Sequence, residues 1–106
     1  MALVWSDRAR NDLSEIAQYI SRSNPENARA FVLRLQTRAR AAAKAPRAGR
    51  RVPEFDAEDL REVIEGNYRI IYRLSRRRVE VVTVIEGHRL LRSAPERPEG
   101  LNRQRA

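Results

Sequence analysis

Two short apolar runs joined by a glycine and an asparagine constrain the fold of this chain more than any other feature. The runs cover residues 60–65 and 68–74, and Gly66 and Asn67 connect them. A two-residue connection with glycine first is typical of a type II′ turn and predicts an antiparallel hairpin. The register that follows pairs Glu65 with Tyr68, Ile64 with Arg69, Val63 with Ile70 and Arg61 with Tyr72.

A third run, residues 79–85, is β-branched almost throughout and predicts a central strand beside the hairpin. Side-chain alternation divides the hairpin into two faces. One face carries Val63, Tyr68, Ile70, Tyr72 and Leu74, and the other carries Ile64, Arg69, Ile71 and Arg73. We expect helices to cover the first face. So short a chain offers no helices for the second face, which predicts an open apolar patch around Ile71, Val82 and Val84.

Two amphipathic helices are predicted ahead of the hairpin. The apolar run at residues 3–5 predicts an opening strand, and the spacing of apolar residues over 9–20 predicts a first helix after an N-cap. Asn24 followed by Pro25 provides the N-cap and first position of a second helix, which Pro46 ends. We expect Trp5, Tyr19 and Phe31 in the core, and Tyr68 and Tyr72 as well, with the hydroxyl groups of these two tyrosines at the margin of the sheet.

The order of these elements predicts a two-layer α+β domain of the form β-α-α-β-β-β. In this fold an N-terminal strand and a helical hairpin pack on one face of a mainly antiparallel sheet of three to four strands. Residues 47–59 show no sustained periodicity and predict a basic loop. One hydrophobic core suffices for a chain of 106 residues, so we assign residues 1–92 to one domain. Residues 93–106 hold few apolar side chains and predict a flexible tail.

The composition excludes several classes of function for this chain. The chain has 22 basic and 14 acidic residues, a formal net charge of +8, one histidine and no cysteine. Disulfides, thiolate chemistry and a histidine-based metal site are therefore excluded, and neither a cofactor nor a small-molecule ligand is indicated. The positive charge predicts attraction to nucleic acid or to an acidic partner. The apolar run near the amino terminus is too short for a signal peptide or a membrane span, which predicts a cytoplasmic protein without membrane association.

Several motifs in combination resemble the RelE/ParE superfamily of type II toxins, small basic bacterial proteins encoded beside a neutralising antitoxin. The motifs are GRRVPEF at residues 49–55, LRE at 60–62, GNYRIIYR at 66–73 and VEVVTVIEGHRLL at 79–91, together with the helical hairpin. The likeness covers residues 2–92, and its details are more similar to the ParE branch than to the RNA-cleaving branch. The resemblance implies the toxin component of a toxin-antitoxin module.

Ribosome-dependent cleavage of mRNA, without a metal, is one activity that the resemblance implies. It requires a base for the 2′-hydroxyl, an acid for the leaving oxygen and cations for the phosphate. Glu54 resembles the base, Arg69 the phosphate-stabilising arginine, and His88 lies near the position of an acidic imidazole. No aromatic residue follows His88, so a stacking partner for a displaced base is missing. Each candidate has a structural alternative: an ion pair with Arg50 or Arg51 for Glu54, an ion pair with Glu62 for Arg69, and a turn for His88.

The ParE branch implies a different activity, in which the toxin binds DNA gyrase and traps its cleaved DNA complex. Because that activity depends on a surface and not on a positioned acid and base, we predict a binding surface rather than an active site. The candidate target-binding residues are Arg50, Arg51, His88, Arg89 and Arg92. A basic nucleic-acid-binding module is a further alternative, although the chain lacks a recognisable groove-entering helix and an aromatic platform.

A cognate antitoxin is the second partner that the resemblance implies. Such antitoxins carry an acidic, amphipathic carboxy-terminal segment that becomes ordered as it binds the toxin. We predict that this segment contacts the open face of the sheet, with an extension into the groove between the helices. The predicted contact residues are Arg61, Arg69, Ile71, Arg73, Val82 and Val84.

Overall fold

The computed structural model describes residues 2–91, which form a two-layer α+β domain. The helices are α1 (Asp7–Ser21) and α2 (Pro25–Lys44), followed by a 3₁₀ turn (Pro46–Ala48). The strands are β1 (Ala2–Trp5), β2 (Arg50–Arg51), β3 (Leu60–Glu65), β4 (Tyr68–Leu74) and β5 (Arg78–Glu86). Their order in the sheet is β1-β5-β4-β3-β2, and only the β1–β5 pairing is parallel among these described strands.

This architecture confirms the predicted class and element order with one correction. The sheet has five strands instead of three to four. The additional strand is β2, whose two residues pair with β3 from within the segment predicted to be a loop. A two-residue strand is too short to leave a periodic pattern in the sequence.

Side-chain caps fix where both helices begin. Oγ of Ser6 accepts a hydrogen bond from the N–H of Ala9 at 3.0 Å. Oδ1 of Asn24 accepts from the N–H groups of Glu26 and Asn27, each at 3.1 Å. Caps of this kind satisfy N–H groups that have no partner inside the helix. The predicted starts of both helices are confirmed.

The β3–β4 hairpin has the predicted register. Glu65 lies opposite Tyr68 and Arg61 lies opposite Tyr72. Gly66 has a φ of +58°, whereas Asn67 has a negative φ, as a type II′ turn requires. The turn chemistry alone was therefore sufficient to place the side chains of these two strands.

The pairing of β4 with β5 contains an irregularity that the sequence did not reveal. β5 has an extra residue, Val82, opposite the step from Ile71 to Tyr72. An extra residue reverses the alternation of side chains beyond it. Val84 therefore joins the core beneath the helices, whereas Val82 lies on the other face with Ile71. The prediction that Val82 and Val84 share one face is wrong.

The main core lies between the helical hairpin and the sheet. Its buried members include Leu13, Leu35 and Ile70. Phe31 belongs to this core and Trp5 packs against it, as predicted. The prediction for Tyr19 is wrong, because 66% of this residue is exposed.

A second apolar cluster covers the face of the sheet that was predicted to be open. It consists of Val52, Leu60, Ile71, Val82, Ile85 and Leu91, with Phe55 and Ala57 packed against it. The connection between β2 and β3 folds back over the sheet, where the N–H of Val52 donates to the carbonyl of Leu60 at 3.3 Å and that of Phe55 to the carbonyl of Val52 at 3.0 Å. The prediction of an open apolar face is wrong, because the chain covers this face with its own loop.

Two further predictions concern the ends of the chain and membranes. Arg92 and the predicted tail, residues 93–106, lie outside the described residues. No helix within residues 2–91 is long and apolar enough to cross a lipid bilayer.

Candidate functional site: the Arg69 network

Arg69 extends from β4 on the side of the second cluster, and each N–H group of its guanidinium contacts an acceptor. Nη1 and Nη2 donate to the two carboxylate oxygens of Glu54, each at 2.7 Å. Nε donates to Oε1 of Glu62 at 2.8 Å, and Nη2 lies 2.7 Å from the same oxygen. Nη1 also donates to the carbonyl oxygen of Arg89 at 2.8 Å. Since a guanidinium has five N–H groups, Arg69 has none left for another anion.

Glu62 connects Arg69 to a second arginine. Its side chain is fully buried, and Nε and Nη2 of Arg50 both lie 2.5 Å from its Oε2. The β2–β3 pairing places Arg50 opposite Glu62, and the hairpin register places Glu62 diagonally from Arg69. The two arginines and two glutamates (Arg50, Glu62, Arg69 and Glu54) form a charge-balanced chain that we call the Arg69 network.

Glu54 links this network to the end of the described chain. Its Oε2 accepts a hydrogen bond from the N–H of Leu91 at 2.9 Å. The bond from Arg69 to the carbonyl of Arg89 adds a second attachment, and the side chain of Leu91 is buried in the second cluster. The network therefore holds residues 89–91 against the sheet.

The same hydrogen bonds determine the protonation states. Those from Arg69 lower the pKa of Glu54 to about 2, and the N–H of Leu91 acts in the same direction. The pKa of Arg69 is raised above its ordinary value, chiefly by its hydrogen bonds to Glu54. Both groups are therefore fully charged at neutral pH.

The Arg69 network limits what the three candidate catalytic residues, Glu54, Arg69 and His88, can do. Glu54 and Arg69 are in contact, but each is occupied by the other. A carboxylate with a pKa of about 2 is a weak base, and a guanidinium without a free N–H group has no donor for a phosphate. The side chain of His88 is 77% exposed, and its charged neighbour is Glu86, at 3.9 Å from Nδ1. Within residues 2–91 the groups that RNA cleavage requires are not assembled together.

The predicted antitoxin-binding surface is not exposed. All six of its residues are buried: Arg61, Arg69, Ile71, Arg73, Val82 and Val84. Arg61 donates to the carbonyls of Arg47 and Gly49, each at 3.0 Å, and Arg73 lies 3.5 Å from Asp59. Arg61 and Arg73 therefore join the loop to the sheet. The expectation that the six residues lie on an open face is wrong, because all six are buried. Contact between them and an antitoxin stays untested.

The predicted target-binding residues are more accessible. Arg50, Arg51, His88 and Arg89 are exposed. Arg51 pairs with Asp56 at 2.9 Å and also with Glu58, so part of its charge is balanced within the loop. Their role in binding a target stays a prediction.

An apolar surface on the helices was mostly missed by the sequence reasoning. A cavity of about 520 Å³ lies between α1 and α2 and is lined by Ala17, Ala28 and Val32. It ends at Leu33, which is 60% exposed and also borders a second cavity of about 290 Å³. We call these two cavities the helix groove. Leu33 could have revealed this surface from the sequence, because it is an apolar residue that falls outside the buried stripe of α2.

Three arginines border the helix groove. Arg29 lines the first cavity, and Arg34 and Arg38 line the second. Arg34 pairs with Glu65 at 3.3 Å, whereas Nε of Arg38 donates to a backbone carbonyl, that of Ile64, at 3.2 Å. The groove therefore combines an apolar floor with a positively charged margin.

No metal site is apparent in the part of the chain that the structure describes. Residues 2–91 contain no group of three His, Asp or Glu side chains that could hold an ion.

Comparison with known proteins identifies the family. The profile of the family described as "ParE toxin of type II toxin-antitoxin system, parDE" matches residues 3–91. "Putative toxin Y4kP" of Sinorhizobium fredii (strain NBRC 101917 / NGR234) is 36% identical over 86 residues, which span 79% of this chain and 85% of that protein. A solved structure, "Chromosomal ParDE TA system from P. aeruginosa", has the same fold with a TM-score of 0.67 at 18% identity, covering 81% of this chain and 95% of that one. The chain belongs to the ParE toxin family of type II toxin-antitoxin systems.

Proposed function

We propose that this ParE toxin inhibits DNA gyrase in the cytoplasm, that residues 1–92 are its toxin unit, and that it acts through a binding surface instead of by catalysis. The Arg69 network supports the part of this proposal that concerns a binding surface. It uses the candidate base, Glu54, and the candidate phosphate ligand, Arg69, to hold residues 89–91 in place. Gyrase as the target rests on the resemblance to the ParE branch.

The surface that we propose for the target contains the exposed residues next to the network. His88, Arg89 and Leu90 follow the end of β5 after Gly87, and Leu90 is a large apolar side chain left exposed. A protein interface commonly combines an apolar anchor with arginines around it. Arg50 and Arg51, on the edge strand β2, are exposed as well, although Glu62, Asp56 and Glu58 balance much of their charge. Arg89 forms no ion pair within the described residues, and its positive charge would help to steer the toxin towards an acidic surface.

A gyrase supercoiling assay with detection of trapped cleaved DNA tests this proposal, run beside a translation-coupled RNA cleavage assay. The informative variant is Arg89→Glu, because the Arg89 side chain is exposed and only its carbonyl serves the network. We expect the toxin concentration for half-inhibition to rise at least about tenfold. The matched control is Arg8→Glu, an exposed arginine in the first turn of α1, which we expect to remain within about twofold of the parent protein.

Two results would count against the gyrase proposal. One is an unaffected supercoiling reaction at toxin concentrations that block translation. The other is RNA cleavage that disappears in a folded Glu54→Gln protein, since this outcome would show that the network is catalytic.

We also propose that the cognate antitoxin binds in the helix groove. The occupant that fits is an acidic amphipathic helix, because the groove has an apolar floor around Leu33 and arginines along its margin. The carboxylates of such a helix would pair with Arg29 and Arg38. We therefore expect the antitoxin on the helical layer, and the loop that covers the sheet face supports this expectation.

Binding of the antitoxin encoded by the neighbouring reading frame tests the groove. Leu33→Glu adds a negative charge to the groove without disturbing the core, and we expect the Kd to rise at least about tenfold. Tyr19→Glu is the matched control, because Tyr19 is also a large side chain exposed on the helices but lines a different cavity. Equal weakening by both variants, or by neither, would contradict the placement of the antitoxin in the helix groove.

A further inference from the structure

Many arginines of this toxin are bound to acids: Arg47 to Glu58, Arg50 to Glu62, Arg51 to Asp56, Arg61 to Glu58, Arg69 to Glu54 and Arg73 to Asp59. Arg76, Arg77 and Arg78 are exposed, and none forms an ion pair with any residue of the described range 2–91. Other exposed arginines of that range, such as Arg8, Arg22 and Arg40, also lack an ion pair, but they are scattered along the helices, whereas residues 76–78 are consecutive. Their positive charge is therefore concentrated at one place.

These three arginines occupy the connection from β4 to β5, where Arg76 and Arg77 lie in the turn and Arg78 is the first residue of β5. The N–H and the Oγ of Ser75 both donate to the carbonyl oxygen of Arg78, each at 3.0 Å. The strands on either side pair along their whole length, from Tyr68 opposite Glu86 to Leu74 opposite Val79. The turn therefore presents three adjacent guanidinium groups from a fixed backbone. We call residues 75–78 the arginine turn.

The acids near the arginine turn form no ion pair with it. Arg76 lines a cavity of about 410 Å³ together with Arg47, Glu58 and Asp59. Both acids are engaged by other arginines, Glu58 by Arg47, Arg51 and Arg61, and Asp59 by Arg73. Glu80, two residues along β5 from Arg78, forms no ion pair within residues 2–91. Arg76, Arg77 and Arg78 therefore have no ion-pair partner among these acids.

We propose that the arginine turn binds the phosphate backbone of duplex DNA. Adjacent arginines suit this ligand, because each guanidinium can bond a phosphate through two N–H groups and the phosphates of a duplex follow one another closely. The proposal does not rest on gyrase being the target, since the turn would contact DNA directly.

The chemistry of the turn favours duplex DNA over the other polyanions. Binding of a single strand relies on bases stacked against exposed aromatic rings. The exposed aromatic residue of the described chain is Tyr19, which lines a cavity with Glu86 at the opposite end of β5 from Arg78. An acidic protein partner would require an apolar interface core, but the turn consists of one serine and three arginines. Phosphate contacts to a duplex require neither feature.

Salt-dependent binding of the full chain to a duplex of about 30 base pairs of arbitrary sequence tests the proposal. Each phosphate contact contributes a slope of about −0.9 to the plot of log K against log salt concentration. Loss of three contacts in Arg76→Gln/Arg77→Gln/Arg78→Gln should reduce the magnitude of the slope by about 3. Between about 50 and 200 mM salt the affinity of the parent protein should consequently fall about 40-fold more than that of the variant.

The matched control removes the same charge from the helical hairpin. Arg8, Arg22 and Arg40 are exposed and form no ion pair within the described chain, and Arg8→Gln/Arg22→Gln/Arg40→Gln should retain the parent slope to within about 1. Circular dichroism establishes that both triple variants are folded. The proposal is supported if only the turn variant loses slope.

Three outcomes would overturn it. An equal loss of slope in both triple variants would mean that net charge alone attracts the DNA. Tighter binding to single-stranded RNA than to the duplex would assign the turn to a different nucleic acid. Competition by polyglutamate at an equal concentration of charge, as effective as competition by DNA, would assign the turn to an acidic protein. Each outcome is independent of the supercoiling assay, so the DNA-binding and gyrase proposals can fail separately.

Discussion

Replacement of Glu54 by glutamine tests whether the Arg69 network is a structural element. The substitution keeps the shape of the side chain but removes the negative charge that accepts two hydrogen bonds from Arg69 and one from Leu91. Because Arg69 is buried, its charge then retains one carboxylate partner, Glu62. We expect Glu54→Gln to be folded but clearly less stable than the parent protein.

The pKa of Glu54 gives the size of this effect. Its ordinary value is 4.5 and folding lowers it to about 2. At 1.36 kcal/mol per pKa unit this corresponds to roughly 3 kcal/mol of stability at pH 7. The side chain is 14% exposed, so solvent screening reduces the contribution, and we expect a loss of roughly 2 kcal/mol. For a domain of this size the melting temperature should fall by about 10 °C.

The loss should depend on pH in one direction. A carboxylate whose pKa is lowered by folding stabilises the protein fully above its unfolded value, and the stabilisation disappears as the pH falls towards the folded value. The difference in unfolding free energy between the parent protein and Glu54→Gln should therefore be constant above pH 5. It should shrink steadily as the pH falls from 4.5 to about 2.

Urea unfolding at a series of pH values measures both effects. The matched control is Asp56→Asn, which removes a carboxylate that pairs with Arg51 and is 89% exposed. Exposed ion pairs contribute little, so this variant should lose less than about 0.5 kcal/mol at every pH. Parent-like stability of Glu54→Gln at neutral pH, or a deficit that does not shrink on acidification, would refute the reasoning.

Three other substitutions test the fold by urea unfolding at pH 7. Ser6→Ala removes the cap of α1 and the hydrogen bond from Oγ to the carbonyl of Val82, at 3.0 Å, and should cost about 1–2 kcal/mol. Gly66→Ala places a side chain at a φ of +58° and should cost about 1 kcal/mol or more. Tyr72→Phe removes the 2.7 Å hydrogen bond from Oη to the carbonyl of Pro46 and should cost about 1 kcal/mol. A variant that unfolds at the parent urea concentration would contradict the role given to that residue.

The elements that the sequence predicted correctly are those determined by local chemistry. Gly66 and Asn67 determined the hairpin register, because a two-residue turn leaves one way to pair the strands. Asn24 marked the start of α2 for a similar reason, since its side chain caps N–H groups two and three residues away. Such signals can be read without knowing the rest of the fold.

The parts that were missed depend on contacts between distant segments. The structural alternative for Glu54 was a solvated acid or an ion pair with Arg50 or Arg51, but its partner is Arg69, and only the folded loop brings these two residues together. The extra residue in β5, Val82, left no signal because every residue around it is β-branched and suits either face. The loop over the second face was missed for a related reason, since its apolar residues, among them Val52 and Phe55, follow no regular period.

The Arg69 network gives Glu54 and Arg69, the residues that resemble part of a catalytic set, a structural role in this chain. To act on RNA, Arg69 would have to leave Glu54 and Glu62 and bond a phosphate instead, and breaking a buried ion pair by removing one partner costs about 3–5 kcal/mol. Residues 89–91 would lose two of their attachments in the same step. His88 would gain no partner for proton transfer, since it lies next to Glu86 on the exposed side. Catalysis by these residues would therefore require the protein to break the contacts that hold residues 89–91 against the sheet, whereas the binding mode that we propose leaves those contacts intact.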